Sequence, residues 1–173
     1  MKSKMLKQYP PRQLSPIPED VLTNRAFIAS VRLLSYRPRT EFEIRKRLSK
    51  KFPSHISEKV ICRLVEQELI DDYSFALFWL RNCETTRPRG TILVRQELIH
   101  MGVEKSIVDQ VLACTNEEAS ALHAATAALR KLGHVEGAKG FARLMGYLNR
   151  RGFGYSISRD AIRNVLSDLS YSA

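Results

Sequence analysis

A chain of 173 residues with 44% apolar side chains can bury a core, as one domain or as a few small stacked units. Its 28 Lys and Arg against 18 Asp and Glu leave a formal charge of +10, which points to DNA, RNA, an anionic membrane surface, or an acidic or DNA-bound protein. A surface excess that serves only solubility is the bland alternative. No apolar run approaches the roughly 18 residues of a membrane span.

The chain opens on a stretch with Lys2, Lys4 and Lys7 and with Pro10, Pro11, Pro16 and Pro18, four of the seven prolines. No apolar run follows the lysines, so it is not a secretory signal; residues 1–22 read as a flexible or extended basic tail. Asn24 can cap a helix running to about Ser35, with Phe27, Val31 and Leu34 on one stripe. Arg37-Pro38-Arg39 breaks it. Thr40 and Glu43 make a capping box for a second helix with Ile44 and Leu48. After Pro53 a third helix carries Ile56, Val60, Ile61, Leu64 and Val65.

The plan then recurs. Asp72 caps a helix with Phe75, Phe78, Trp79 and Leu80. Arg87-Pro88-Arg89-Gly90 is the break, 50 positions after Arg37-Pro38-Arg39-Thr40, and Val94 and Leu98 repeat Ile44 and Leu48. A Gly102 turn and Ile107, Val111 and Leu112 complete the unit. The third pass begins near Glu117 with an Ala-rich helix to about Leu132, followed by a loop with Gly133, Gly137 and Gly140. Leu144 and Leu148, the Gly152 turn, and Ile157, Ala161 and Ile162 close it. Gly102 and Gly152 occupy the place where a helix end most often needs a left-handed residue.

A 50-residue period means one supersecondary unit used several times. The expected fold is all-α: three tandem three-helix repeats stacked into an elongated curved array. The expected divisions are 23–70, 71–115 and 116–173, after the 1–22 tail. Each unit is too small to bury its own stripe well, and stacking covers it.

No catalytic constellation emerges. Cys62, Cys83 and Cys114 lie far apart without a C-x-x-C, which argues against a disulfide framework or zinc site and fits a reducing cytoplasm. His55, His100, His123 and His134 have no ligand spacing. Asp71-Asp72 reads as a helix N-cap more readily than as a metal or acid–base pair. Arg151-Gly152-Phe153-Gly154-Tyr155 resembles the start of an RNA-recognition strand, but the repeat register places it at a helix–helix turn with Phe153 in the core. The glycines at 133, 137 and 140 lack the G-K-[ST] of a phosphate loop. No enzyme activity, cofactor or metal is expected.

The basic residues are the functional candidates. Arg37 and Arg39 precede the positive N-terminus of the second helix, and Arg87 and Arg89 repeat the arrangement. Lys46, Arg47 and Lys50 lie opposite the Ile44–Leu48 stripe. Their counterparts are Gln96, Glu97 and His100, then Gly146, Tyr147 and Arg150. The buried pattern repeats while the exposed one diverges, as in an array that touches one long partner at several different places. Arg45 and Arg95 flank the stripe as packing residues.

Four segments resemble the RecX family of bacterial regulatory proteins: Arg37–Leu48, Leu69–Leu80, Arg89–Val103 and Tyr147–Ile157. The second is similar to the family's Leu-Leu-Asp-Asp junction. The third is similar to its Gly-Pro-x-x-Ile-x-x-Glu-Leu-x-x-Lys-Gly stretch. The resemblance spans about Asn24 to Leu169. Thr91 stands where the family usually has proline, Met101 where it has lysine and Glu68 where glycine is common; Ile92 and Leu93 occupy often basic positions. The resemblance implies a monomeric, non-enzymatic modulator that lies in the groove of the RecA filament on single-stranded DNA, with possible direct DNA contact. It would restrain ATP hydrolysis, strand exchange and filament growth. Arg37, Arg39, Lys46, Arg47, Lys50, Arg87, Arg89, Arg150 and Arg151 are the candidate contacts. A sequence-independent DNA- or RNA-binding helical protein is the alternative.

Overall fold

A computed structural model describes residues 17–133 and 137–171, with side chains through Ser167. The described residues form nine helices and no strand. They are α1 (Glu19–Leu34), α2 (Glu41–Leu48), α3 (Ser54–Glu66), α4 (Asp72–Thr86), α5 (Thr91–His100), α6 (Lys105–Ala113), α7 (Glu117–Leu132), α8 (Gly137–Arg150) and α9 (Tyr155–Tyr171).

The buried residues fall into three separate clusters, one per helix triplet. Ile44, Val94 and Leu144 are each fully buried, as are Leu98 and Leu148, with Leu48 at 2% exposure. The 50-residue spacing thus repeats a packing position. Each such side chain contributes about 1.5–3 kcal/mol by leaving water. The third core is built differently: Ala121, Ala124, Ala125 and Ala128 line one face of α7, and their small size lets α9 lie close.

One joint links successive units, and it is used twice. The Thr40 hydroxyl, capping α2, donates to the Met101 carbonyl at 2.6 Å, and the Glu41 amide donates to the Asp72 carboxylate at 2.9 Å. Fifty residues on, the Gly90 amide at the α5 cap donates to the Arg151 carbonyl at 2.8 Å. The Thr91 amide and hydroxyl donate to the Glu117 carboxylate at 2.9 and 2.8 Å. In both joints the start of a middle helix seats on the turn between the second and third helices of the next unit. Its first amide is held by the opening carboxylate of that unit's first helix. Among the described residues no hydrogen bond or ion pair joins unit one to unit three, so the joints make an open chain of units.

Glycine is required where these joints close. Gly102 (φ +86°) and Gly152 (φ +80°) take the left-handed conformation expected after a helix. A Cβ on Gly102 would overlap the Phe42 side chain; one on Gly90 would overlap the Gly152 carbonyl.

The structure corrects several expectations. α1 begins at Glu19 behind Pro18, not after Asn24, so residues 19–22 of the expected tail are helical; residues 1–16 lie outside the described residues. Glu19 and Asp20 in the first turn favour the helix N-terminus and explain the earlier start. The N-cap of α4 is Asp71, whose carboxylate accepts from the Tyr73 amide, which releases Asp72 for the joint. Gly140 is not in a loop. It is buried inside α8, which extends one turn further back than α2 and α5. Val65 and Phe78 are about half exposed rather than core. Gly152 to Gly154 form a turn into α9, with Phe153 buried.

Candidate interaction surface

The basic residues separate by what holds them. At the turn into α2, the Arg37 guanidinium grips the Glu43 carboxylate through two bonds of 3.0 and 2.6 Å and also donates to the Pro38 carbonyl. Burial raises the Glu43 carboxyl, but the Arg37 bonds and charge, the Thr40 amide and Arg39 outweigh it, and the group sits below its ordinary value. The Thr40 hydroxyl accepts from the Glu43 amide at 3.1 Å, so the expected cap is present with Arg37 clamped onto it. Arg39 donates to the Leu33 carbonyl at 3.1 Å. Burial, followed by the charge of Arg37, lowers its pKa; Glu43 opposes and Arg47 adds to the lowering. Arg37, Arg39 and Arg47 therefore form a cluster of like charge at this turn.

Arg89 and Arg151 are also tied inward. Arg89 pairs with Glu97, which accepts from the Trp79 indole N–H at 3.0 Å, and its guanidinium stands 5.9 Å from the Trp79 ring centre. Arg151 donates to the Pro88 carbonyl at 3.0 Å across the second joint and lies 4.6 Å from the Tyr147 ring centre. Arg45 joins Glu41 and Glu58 at 2.5 and 2.9 Å, and Arg95 pairs with Asp109, in keeping with packing roles.

Lys46, Arg47, Lys50, Arg87 and Arg150 are exposed. Among the described residues none has an ion pair or side-chain hydrogen bond; Lys46 stands 5.9 Å from the Phe42 ring centre. They come from all three units: α2, the C-cap of α4 and the last residue of α8. The structure thus divides the nine candidates into four that brace the chain and five with unspent charge. The bracing roles depend on partners that position and charge alone do not reveal.

Position and charge also missed a cleft of about 1170 Å³ between units one and two. Its walls include Phe42, Val65, Leu69, Phe78 and Ile107, and its rim carries Glu41, Glu68, Asp71, Asp72 and Glu104 beside Arg39 and Arg45. Burial raises the Asp72 carboxyl, the Glu41 amide opposes this, and the charges of Glu41 and Asp71 add to it. Among the described residues, no group of His, Cys, Asp or Glu is arranged to hold a metal, and no helix is long and apolar enough to cross a membrane.

A family model described as RecX, first three-helix domain, matches residues 26–64. The regulatory protein RecX of Chlorobium phaeobacteroides is 30% identical over 149 residues, covering 84% of this chain and 97% of that protein. The regulatory protein RecX of Mycobacteroides abscessus is 32% identical over 155 residues, covering 87% and 76%. The crystal structure of RecX from Lactobacillus salivarius superposes with a TM-score of 0.75 at 20% identity, over 84% of this chain and 97% of that one, a likeness of fold. A crystal structure of a regulatory protein RecX gives 0.72 at 25% identity, over 84% and 73%. With one core position, one joint and one period running through its helices, the chain belongs to the RecX family of regulatory proteins.

Proposed function

We propose that this protein binds the RecA filament on single-stranded DNA and restrains its ATP hydrolysis, strand exchange and growth, thereby regulating recombination and DNA repair. It acts in the cytoplasm as a monomeric, non-enzymatic modulator. The observation that carries this reading is the open chain of three jointed units with unspent basic charge on each. Such a chain can engage several protomers of a filament at once, so that weak contacts add as avidity. Its net charge favours approach to a DNA-bearing surface. Lys46, Arg47, Lys50, Arg87 and Arg150 make the contacts in this reading, while Arg37, Arg39, Arg89 and Arg151 chiefly hold the units in shape.

The test is ATP turnover by the cognate RecA on single-stranded DNA while the protein is titrated in. Turnover should fall to a plateau. Unchanged turnover at saturating protein, together with tight binding to bare DNA, supports instead a nucleic-acid-binding protein without a recombinase partner. The same five free cations favour that second reading. Salt dependence does not separate the two, since both release counterions.

A further inference from the structure

The cleft between units one and two is opposite in charge to the chain as a whole. Among its lining residues carboxylates outnumber guanidiniums five to two, in a protein of net charge +10. Both guanidiniums are spent: Arg45 on Glu41 and Glu58, and Arg39 on the Leu33 carbonyl. Three of the carboxylates are spent as well, Glu41 on Arg45, Asp71 on the Tyr73 amide and Asp72 on the Glu41 amide. Glu68 and Glu104 are exposed, and among the described residues neither has an ion pair or side-chain hydrogen bond. At the second joint the position of Glu104 is taken by Gly154, so this acid is not part of the repeated plan.

The wall beside these acids is apolar. Phe42, Val65, Leu69 and Phe78 are each between 44% and 49% exposed and line one cavity, brought together from α2, α4 and the end of α3. Large apolar side chains gathered in the open mark a place where another molecule binds. At about 1170 Å³ the cleft exceeds the roughly 300–1,000 Å³ of pockets for small ligands, so a stretch of polypeptide matches it better. The sign of the rim narrows the choice further. Its carboxylates repel the phosphates of nucleic acid and of anionic lipid, and attract Lys and Arg.

We propose that this cleft receives a basic segment of a partner protein, with large apolar side chains seated on Phe42, Val65, Leu69 and Phe78 and flanking Lys or Arg reaching Glu68 and Glu104. The apolar anchors supply the affinity, and the two free carboxylates set orientation and reject acidic segments. The array then has two surfaces of opposite sign: free cations for a phosphate-bearing partner, and an acidic cleft for a cationic stretch of protein. Occupancy of the cleft is measured without RecA, so the outcome bears on this proposal and leaves the filament reading to its own test.

The probe is a synthetic peptide of that chemistry, acetyl-Gly-Lys-Arg-Phe-Leu-Lys-Arg-Gly-amide, titrated into the full chain and followed by methyl NMR. Saturable shifts are expected at Val65, Leu69 and Ile107. Replacing Phe-Leu in the peptide by Ser-Ser should abolish them. Glu68→Lys with Glu104→Lys should weaken binding by about tenfold or more. That double variant should instead bind the charge-reversed peptide, with Glu and Asp in place of Lys and Arg, which the intact chain rejects. Both substitutions fall on exposed residues, and the shift map of the intact chain stands without them. Four results overturn the proposal: no saturable shift at the cleft with millimolar peptide, shifts centred instead on Ile28 and Val31 of the outer face of α1, equal binding of the Ser-Ser peptide, or displacement of the same cleft methyls by oligo-deoxythymidine.

Discussion

The Thr40 hydroxyl donates to the Met101 carbonyl at 2.6 Å, across 61 residues of chain, while accepting from the Glu43 amide of its own helix. One fully buried side chain thus caps α2 and closes the joint to the next unit. Replacing it by alanine removes the cap and leaves the Met101 carbonyl without this donor. Thr40→Ala should lower stability by about 2 kcal/mol, whereas Thr40→Ser should cost less than half of that. Urea unfolding of the three proteins side by side checks the order.

Gly90 and Gly154 differ in what a methyl group would meet. A Cβ at Gly90 runs into the Gly152 carbonyl and the Phe153 amide, both backbone, while one at Gly154 meets nothing within 4 Å. Gly90→Ala should destabilise by about 2 kcal/mol or more, as in overpacked cores. Gly154→Ala should change stability by at most about 0.5 kcal/mol. Thermal unfolding distinguishes them.

Acid should weaken the fold through carboxylates held ionised. Despite burial, Arg37 keeps the Glu43 carboxyl below its ordinary value; the Arg45 bond does the same for Glu58 and the Ser74 hydroxyl for Asp71. A carboxyl with a depressed folded pKa adds stability that is present above its unfolded value, about 4, and lost as pH falls through the folded one. Asp72, raised by burial, works in the opposite sense: its contribution is present below its unfolded pKa and lost as pH rises through the folded one. Melting temperatures measured from pH 7 down to pH 3 should fall below about pH 4.5. They should fall less steeply in Arg37→Gln, where only the Thr40 amide and the Arg39 charge still oppose the effect of burial on Glu43.

Glu68 stands in the left-handed region at the end of α3. Glycine adopts that conformation without the Cβ clash, so Glu68→Gly should raise stability by about 0.5–1 kcal/mol. A calorimetric melt of this variant measures the strain that the carboxylate costs the fold.

The three units and their cores were legible in the sequence because burial is a local, periodic signal. Ile44, Val94 and Leu144 each sit one helical turn before a second buried leucine, and tertiary packing had only to honour that spacing. α7 appears from Glu117 to Leu132 as expected, since an acidic first turn and a terminal glycine bound it. What stayed illegible depends on distant partners. Nothing near Thr40 announces Met101, and nothing near Thr91 announces Glu117. Phe78 keeps helical register with the buried Phe75, three residues before it, yet opens into a cleft that exists only once two units meet. Arg37 and Arg87 occupy the same repeat position, but Glu43 captures the first and Leu93 stands at the corresponding place in the second unit. Gly140 has the composition of a loop and packs as a small residue inside α8.

The division of the arginines by partner carries the functional account, and one comparison tests it most directly. Filament association is measured for the intact chain, for a variant with Lys46, Arg47, Lys50, Arg87 and Arg150 changed to Gln, and for one with Arg37, Arg89 and Arg151 changed to Gln. The account predicts that the first variant melts like the intact chain yet loses association and no longer slows ATP turnover by RecA on single-stranded DNA. The second should melt at lower temperature and, while folded, associate far more nearly as the intact chain does. Full inhibition by the first variant would contradict the account.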